Sequence, residues 1–227
     1  MNTDASSSAD DCTNTVAELQ TALAQCLADL DRHCAVRLVL SAVEDGSIGV
    51  ADLYTQVLGP YLTHIGTSWQ HSTERVWEEH FASHVVRTVI EALYPRVMRE
   101  AEEVEKLGTT VLLACPPREE HQLGLRMLSD RFELAGWDVI YLGANTPIAE
   151  IVAAALSVNA TMVAMSVSTV YERVELRRFI DALRDRLPGT RIVVGGPAFA
   201  RDATSWSRDE LPFPSELGLP GTAPERR

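Results

Sequence analysis

TTVLLACPPREEHQLG, residues 109–124, is the stretch of sequence that decides the fold. Its first seven residues form a short apolar run that Pro116-Pro117 ends, which predicts a buried strand over 109–115. A polar loop follows, and a helical pattern then continues to Gly136, which predicts a helix over 122–134. A buried strand, a loop and a helix in this order form the first part of a βαβ unit.

The same alternation continues toward the carboxyl end. Further strands are predicted over 138–142, 162–167 and 191–194. Thr146-Pro147 predicts the start of one intervening helix, because Thr is a good cap residue and Pro suits the first helical position. We therefore expect a Rossmann/flavodoxin-like parallel sheet over 109–200. The Pro/Ser-rich tail 201–227 shows no clear fifth strand.

The segment before this domain, residues 14–106, has a helical pattern throughout. Apolar residues recur at three- and four-residue steps in four stretches, which predicts a four-helix bundle. Pro95 lies inside the fourth stretch and is expected to kink or restart that helix. Residues 1–13 are rich in Ser, Asp and Thr, and are expected to be disordered.

Composition excludes several classes of function. The net charge of −12 opposes contact with phosphate backbones, and no basic run compensates for it, so direct nucleic-acid binding is not expected. No apolar stretch is long enough to span a membrane, and the amino end does not resemble a signal peptide, so we expect a cytoplasmic protein. The four cysteines show no CxxC pair, and Cys26 and Cys34 are predicted to be core or interface residues rather than a disulfide.

Polar and small residues collect at the ends of three predicted strands. Glu119 and His121 follow the first strand, Ser166 and Ser168 end the third, and Gly195-Gly196 end the fourth. In the common strand order 2-1-3-4-5 these three strands are neighbours, so their carboxyl ends form one crevice, where such sheets bind ligands.

Within this crevice His121 is the candidate metal ligand. Glu119 can accept the other ring N–H of His121 and fix its tautomer, and Gly124 lets backbone approach a ligand. Because this domain has no second metal-ligating cluster near His121, the metal would have to arrive already held by a macrocycle.

The spacing of these residues resembles the cobalamin-binding fingerprint of methionine synthase, corrinoid methyl carriers, some mutases and B12 photoreceptors. The pattern is Glu119-x-His121-x-x-Gly124, then 41 residues, Ser166-x-Ser168, then 26 residues, and Gly195-Gly196. The resemblance implies that His121 is the lower axial ligand to cobalt, that Ser166 contacts the displaced base, and that the two glycines make room for the nucleotide tail. It also implies that the bundle covers the upper face of the corrin. Ser168 departs from the family, which usually has Leu at that position.

A second element resembles the CarH-type light sensors, which use adenosylcobalamin. Trp69 is followed by nine residues and then by Glu79-His80. The resemblance implies that Trp69 packs on the adenosyl group, that Glu79 hydrogen-bonds its ribose and that His80 helps to hold it. Visible light would then break the cobalt–carbon bond and change the assembly of a homo-oligomer.

Two departures from that family affect how this chain is expected to signal. Gln70 stands where those sensors have the His that captures cobalt after photolysis, and the nearest histidine is His71. Residues 1–13 could not form a helix-turn-helix domain. We therefore expect a signal through a protein partner, still unknown, or through self-assembly, and no enzymatic activity.

Two alternatives stay open at this stage. A corrinoid carrier for methyl transfer would share the bundle and the fingerprint, but would not need Trp69 with Glu79-His80. A dual photoreceptor would add a bilin to cobalamin, and a red absorption band would reveal it.

Overall fold

The computed structural model describes residues 5–69, 76–168 and 173–200, together with Leu219. The chain divides into two compact units, residues 1–96 and 97–227. Among the described helices, none combines the length and the apolarity needed to cross a membrane.

The first unit contains the four predicted helical regions. They are α1 (Ala5–Ala28), α2 (Arg32–Glu44), a third region made of α3 (Val50–Asp52), a π-helical segment (Leu53–Leu58) and α4 (Gly59–Trp69), and then α5 (Val76–Glu102), which crosses the boundary between the units. The predicted apolar positions form the core, with Leu23, Val39, Leu58, Val85 and Ile90 almost fully buried. The helical prediction is therefore confirmed for this part of the chain.

Two local expectations for the first unit differ in part from the structure. Helix α1 begins at Ala5, although disorder is predicted for residues 1–13. Once a helix has formed around the later apolar residues, each further residue that it adds gains one hydrogen bond and needs no new nucleation. Composition therefore underestimates the length of this helix. Helix α5 continues through Pro95 without a restart, whereas a kink at this position stays a prediction. Pro95 and Glu91 are both exposed, so water can satisfy the carbonyl group that loses its helical partner.

The π-helical segment is a feature that the sequence pattern does not reveal. It is fully buried at Leu53, Tyr54, Val57 and Leu58. A Cβ atom at Gly59 would lie 2.9 Å from the carbonyl oxygen of Tyr54, so the glycine lets the backbone close this wider turn.

The expectation for Cys26 and Cys34 is also wrong, because the structure joins them in a disulfide, with their Cα atoms 5.7 Å apart. Cys26 lies near the end of α1 and Cys34 near the start of α2. The turn between them reverses the chain, with Asp31 capping α2 through the Cys34 N–H. Linear spacing alone does not show that a tight helix–helix turn brings two cysteines together.

The second unit is a four-stranded parallel sheet with helices on both faces. Its strands are β1 (Thr110–Ala114), β2 (Asp138–Gly143), β3 (Met162–Ser166) and β4 (Arg191–Gly195), and its helices are α6 (Leu123–Glu133), α7 (Ile148–Ser157), α8 (Arg173–Arg186) and the short α9 (Pro197–Ala200). The strand order is β2-β1-β3-β4, so β1, β3 and β4 are neighbours as predicted. The fold class, a helical region followed by a Rossmann-like α/β domain, is confirmed.

Two details of this unit differ from or extend the prediction. Pro147, and not Thr146, precedes the first residue of α7, and the Thr146 hydroxyl lies 3.4 Å from the carbonyl oxygen of Gly143. Leu219, from the Pro/Ser-rich tail, is 2% exposed and packs in the cluster that contains Leu113 and Val193. Part of the tail therefore contributes to the core on the α6 face of the sheet.

Candidate functional site

The loop after β1 is organised around the buried carboxylate of Glu119, which is 1% exposed. Its Oε1 atom accepts hydrogen bonds from the backbone N–H of His121 at 2.8 Å and from the ring Nδ1 at 2.7 Å. Its Oε2 atom accepts the backbone N–H of Ser168 at 2.6 Å, from the loop after β3. Charge-assisted hydrogen bonds of this kind are what allow a carboxylate to be buried. The predicted pairing of Glu119 with His121 is therefore present in the fold.

This pairing sets the chemical state of the His121 ring. When the Glu119 carboxylate is ionised it only accepts hydrogen bonds, so this geometry favours the tautomer in which Nδ1 carries the ring proton and Nε2 is the basic nitrogen. The His121 side chain is 67% exposed, so the ring is accessible at the carboxyl ends of the strands. An oriented, accessible imidazole of this kind fits an axial ligand to a metal that a macrocycle brings.

A second loop, between β2 and α7, holds the first in place. The Asn145 N–H donates to the Glu119 carbonyl oxygen at 2.9 Å, and the Arg118 N–H donates to the Asn145 side chain at 2.8 Å. Arg118 and Asn145 both have positive φ angles, of 70° and 49°. Asn145 is not among the residues predicted from the sequence, although Asn is enriched in the left-handed region and stands in a predicted loop.

The ends of β3 and β4 meet through glycine. Ser166 and Gly195 are paired in the sheet, and the Val167 N–H donates to the Gly195 carbonyl oxygen at 2.9 Å. Gly196 has a φ of +108°, and a Cβ there would lie 2.9 Å from the Ser166 Oγ atom and in contact with the Val167 carbonyl. The close approach of the two loops thus gives Gly196 a role within the fold itself. Room for a nucleotide tail stays a prediction.

Alanine substitutions at Gly196 and Gly124 test which of these two glycines the fold itself requires. We expect Gly196→Ala to lower the free energy of unfolding by at least about 2 kcal/mol. An alanine there would have a strained positive φ, and its Cβ would collide with Ser166 and Val167. Gly124, on α6, has open space where a Cβ would lie. Gly124→Ala should therefore leave the unfolding free energy of the apoprotein unchanged or higher. Chemical denaturation monitored by circular dichroism measures both, and equal losses in the two variants would contradict this assignment.

The predicted residues of the first unit lie near the α4–α5 connection. Trp69 is the last residue of α4, and Glu79 and His80 lie in the first turns of α5. The half-buried Glu79 accepts a hydrogen bond from the Ser83 hydroxyl at 2.6 Å, and its other oxygen lies 3.5 Å from His80 Nε2. Ser83 was missed by the sequence analysis, although a residue four positions on is the natural partner on a helix. Gln70 and His71 lie outside the described residues.

The structure therefore brings the predicted residues together in two groups. Glu119, His121 and Ser168 are joined by direct hydrogen bonds, whereas Glu79 and His80 adjoin one another in the other unit. In the described part of the chain, no cluster of three or more His, Cys, Asp or Glu residues could hold a bare metal ion. A single oriented histidine remains the candidate metal ligand.

Comparison with known proteins supports this interpretation. Residues 109–209 match a family model described as a B12 binding domain, and residues 19–94 match a second model with the same description. The solved structure of the Methanosarcina barkeri monomethylamine corrinoid protein is similar, with a TM-score of 0.66 at 15% identity over 80% of this chain and 85% of that protein. At this identity the likeness concerns the fold alone.

Two relatives from Myxococcus xanthus are similar in sequence. The HTH-type transcriptional repressor CarH is 30% identical over 148 residues, which are 64% of this chain and 47% of CarH. The repressor CarA is 34% identical over 122 residues, which are 53% of this chain and 40% of CarA. The chain thus spans less than half the length of either relative. With both of its folded regions matched by B12 binding domains, the chain is a cobalamin-binding-domain protein that resembles the CarH-type proteins.

Proposed function

We propose that this chain is an adenosylcobalamin-dependent light sensor that signals through a change in its own assembly and through protein contacts. The observation that carries the proposal is the coexistence of two groups of residues. One is the oriented His121 at the strand ends, and the other is the Trp69, Glu79 and His80 element at the α4–α5 connection. The similarity to CarH and CarA, at 30% and 34% identity, supports the same interpretation.

The second unit would hold the corrinoid from below. His121 offers its Nε2 atom to cobalt, and the buried Glu119 keeps the proton on Nδ1 and the ring in one orientation. The Ser168 backbone N–H donates to the other oxygen of the same carboxylate and so holds it in place. Ser166, Gly195, Gly196 and Gly124 border this position at the strand ends and at the start of α6.

The first unit would recognise the group above cobalt. Ser83 holds the Glu79 carboxylate at the half-buried amino end of α5, where it can accept hydrogen bonds from hydroxyl groups of a ribose. Such a contact distinguishes an adenosyl group from a methyl group, which offers no donor. Adenosylcobalamin, when bound, would supply a light-sensitive cobalt–carbon bond, and the loss of the adenosyl group would remove the hydrogen-bond partner of Glu79.

One experiment tests the proposal. The apoprotein is mixed with adenosylcobalamin in the dark, and absorption spectra and size-exclusion profiles are recorded before and after green light. We expect both to change after illumination and neither to change in a sample kept dark. Bound adenosylcobalamin without a light-dependent change in elution would contradict light sensing, because photolysis of the cofactor alone already changes the spectrum. It would favour the methyl-carrier alternative, as would function with methylcobalamin that does not require light.

The contact with the ribose has its own test. We expect Glu79→Gln to weaken adenosylcobalamin binding by roughly tenfold, because a charge-assisted hydrogen bond contributes about 1.5–3 kcal/mol. Binding of methylcobalamin should change by less than about twofold on the same argument. Glu91→Gln, an exposed position on the same helix, is the matched control. Equal losses for both cobalamins would place Glu79 outside adenosyl recognition.

A bilin as a second chromophore is an alternative that the sequence leaves open. A red absorption band in the purified protein, independent of added cobalamin, is the result that this alternative requires. Its absence after expression with a bilin supply would remove the dual-photoreceptor alternative.

A further inference from the structure

A hollow of about 270 Å³ lies in the first unit, between the start of α2 and the middle of α5. Its walls are formed by Arg32, Phe81, His84, Val85, Arg87 and Thr88. An apolar cavity of about 150 Å³ is enough to hold benzene. The hollow therefore has room for one ring together with a charged substituent.

The lining of this hollow carries uncompensated positive charge. Arg32, Arg87 and His84 supply nitrogen donors, and none of the lining residues is acidic. Among the residues that the structure describes, neither arginine is paired with a carboxylate. Unpaired guanidinium groups on a chain with a net charge of −12 form a local site for an anion, and their paired N–H groups match the oxygens of carboxylate and phosphate.

One of the two guanidinium groups is already held in position. The Arg32 Nη2 atom donates to the Thr88 hydroxyl at 3.2 Å, across from α2 to α5. The same hydroxyl donates to the His84 carbonyl oxygen at 3.0 Å. An ordered guanidinium loses less conformational entropy when it binds an anion than a freely moving one.

The remaining wall is apolar. Phe81 is half-buried and offers most of the apolar surface beside the cationic groups, whereas Val85 is 1% exposed and offers only a small part of it. A ligand that has both an oxyanion and a ring would use both parts of the lining. An inorganic anion would contact only the cationic part of the lining.

The hollow is separate from the residues assigned to the adenosyl group. Phe81, His84 and Thr88 follow one another at helical spacing on a single face of α5. Phe81 lies two positions after Glu79, which corresponds to roughly 200° around the helix. Occupation of the hollow therefore does not require the contacts proposed for Glu79.

We propose that this hollow binds a small organic anion, a carboxylate or phosphate carried on a single ring or a comparable apolar body. The guanidinium groups of Arg32 and Arg87 hold the oxyanion, His84 adds a donor, and Phe81 with Val85 contacts the ring. The proposal rests on the first unit alone and is independent of light sensing.

The test titrates the full chain with three probes, namely benzoate, phenyl phosphate and inorganic phosphate. Binding is monitored by chemical shift changes in NMR spectra. We expect at least one ring-bearing probe to bind with shifts centred on α2 and α5, and to bind at least about tenfold more tightly than inorganic phosphate, which is about 1.4 kcal/mol. The tighter of benzoate and phenyl phosphate identifies the anion class. No binding by either ring-bearing probe, or equal binding of inorganic phosphate, would overturn the proposal.

Substitutions separate a built site from general attraction to positive charge. Arg32→Gln and Arg87→Gln should each lower the affinity for the tighter ring-bearing probe by about tenfold, whereas Arg37→Gln should change that affinity by less than about twofold. Arg37 is an exposed arginine on the same helix as Arg32 and does not line the hollow. Phe81→Ala should remove the preference for ring-bearing probes. An equal loss in Arg37→Gln would contradict the assignment.

Discussion

Replacing His121 by alanine is expected to weaken cobalamin binding by roughly a hundredfold or more. Removal of a group that merely orients a metal ligand typically costs 10–100-fold in affinity, so the loss of the ligand itself belongs at or beyond the upper end of that range. The ring is 67% exposed, so its removal should disturb the fold little. Titration of the apoprotein with hydroxocobalamin, followed by absorption, gives both the affinity and the spectrum of the bound form.

The control for this variant is His33→Ala, at an exposed histidine on α2. It should bind cobalamin as the unsubstituted chain does, with the same spectrum. A His121→Ala variant that binds with nearly unchanged affinity and an unchanged spectrum would refute the role of His121 as the axial ligand. The B12 binding domain assignment would survive that result, because it rests on the match over residues 109–209.

Glu119→Gln is expected to produce the second largest effect. Both oxygens of Glu119 accept hydrogen bonds from N–H groups, so an amide NH2 on either side would face a donor and lose an interaction. We expect a loss of about 1–3 kcal/mol in the free energy of unfolding of the apoprotein. Cobalamin affinity should fall by about 10–100-fold, because a neutral amide orients the His121 ring and supports its Nδ1 proton less strongly than a carboxylate does.

The neighbouring Glu120 provides a matched control. Glu120 is exposed, whereas Glu119 is 1% exposed, and the substitution Glu120→Gln changes the net charge of the chain by the same amount. Glu120→Gln should leave both stability and affinity nearly unchanged. Equal effects of the two substitutions would show that the charge of the loop, and not the hydrogen bonds of Glu119, determines binding.

The fold of both units could be predicted because their patterns are periodic. Apolar steps of three and four residues mark the helices before residue 106, and short apolar runs followed by Gly or Pro mark the strands after it. The start of α1 at Ala5 and the continuation of α5 through Pro95 do not follow from composition, because the extent of a helix depends on the hydrogen bonds and solvent around it. The disulfide between Cys26 and Cys34 was missed because it depends on the turn that brings α1 and α2 together.

The candidate site was predicted in part. The association of Glu119 with His121 follows from their spacing in one loop, and the structure confirms it. The contributions of Asn145, Ser83 and the Ser168 backbone were not visible, since they involve a second loop, a helical neighbour and a main-chain N–H group. The four-residue spacing of Glu79 and Ser83 is visible in the sequence, but it recurs along every helix and does not single out this contact. The contacts of Asn145 and of the Ser168 N–H group have no such spacing.

By itself, the sequence determined the order of the two folded regions and the chemical types of residue at the strand ends, because periodicity and loop chemistry are local properties. Only the tertiary structure decided how those residues act on one another. The burial of Glu119 and its bond to the loop after β3 depend on the strand order β2-β1-β3-β4. The anion-binding hollow depends on the packing of α2 beside α5 across 56 residues of chain. Contacts between distant segments set burial and orientation, and these two quantities turn a glutamate, a histidine or an arginine into part of a site.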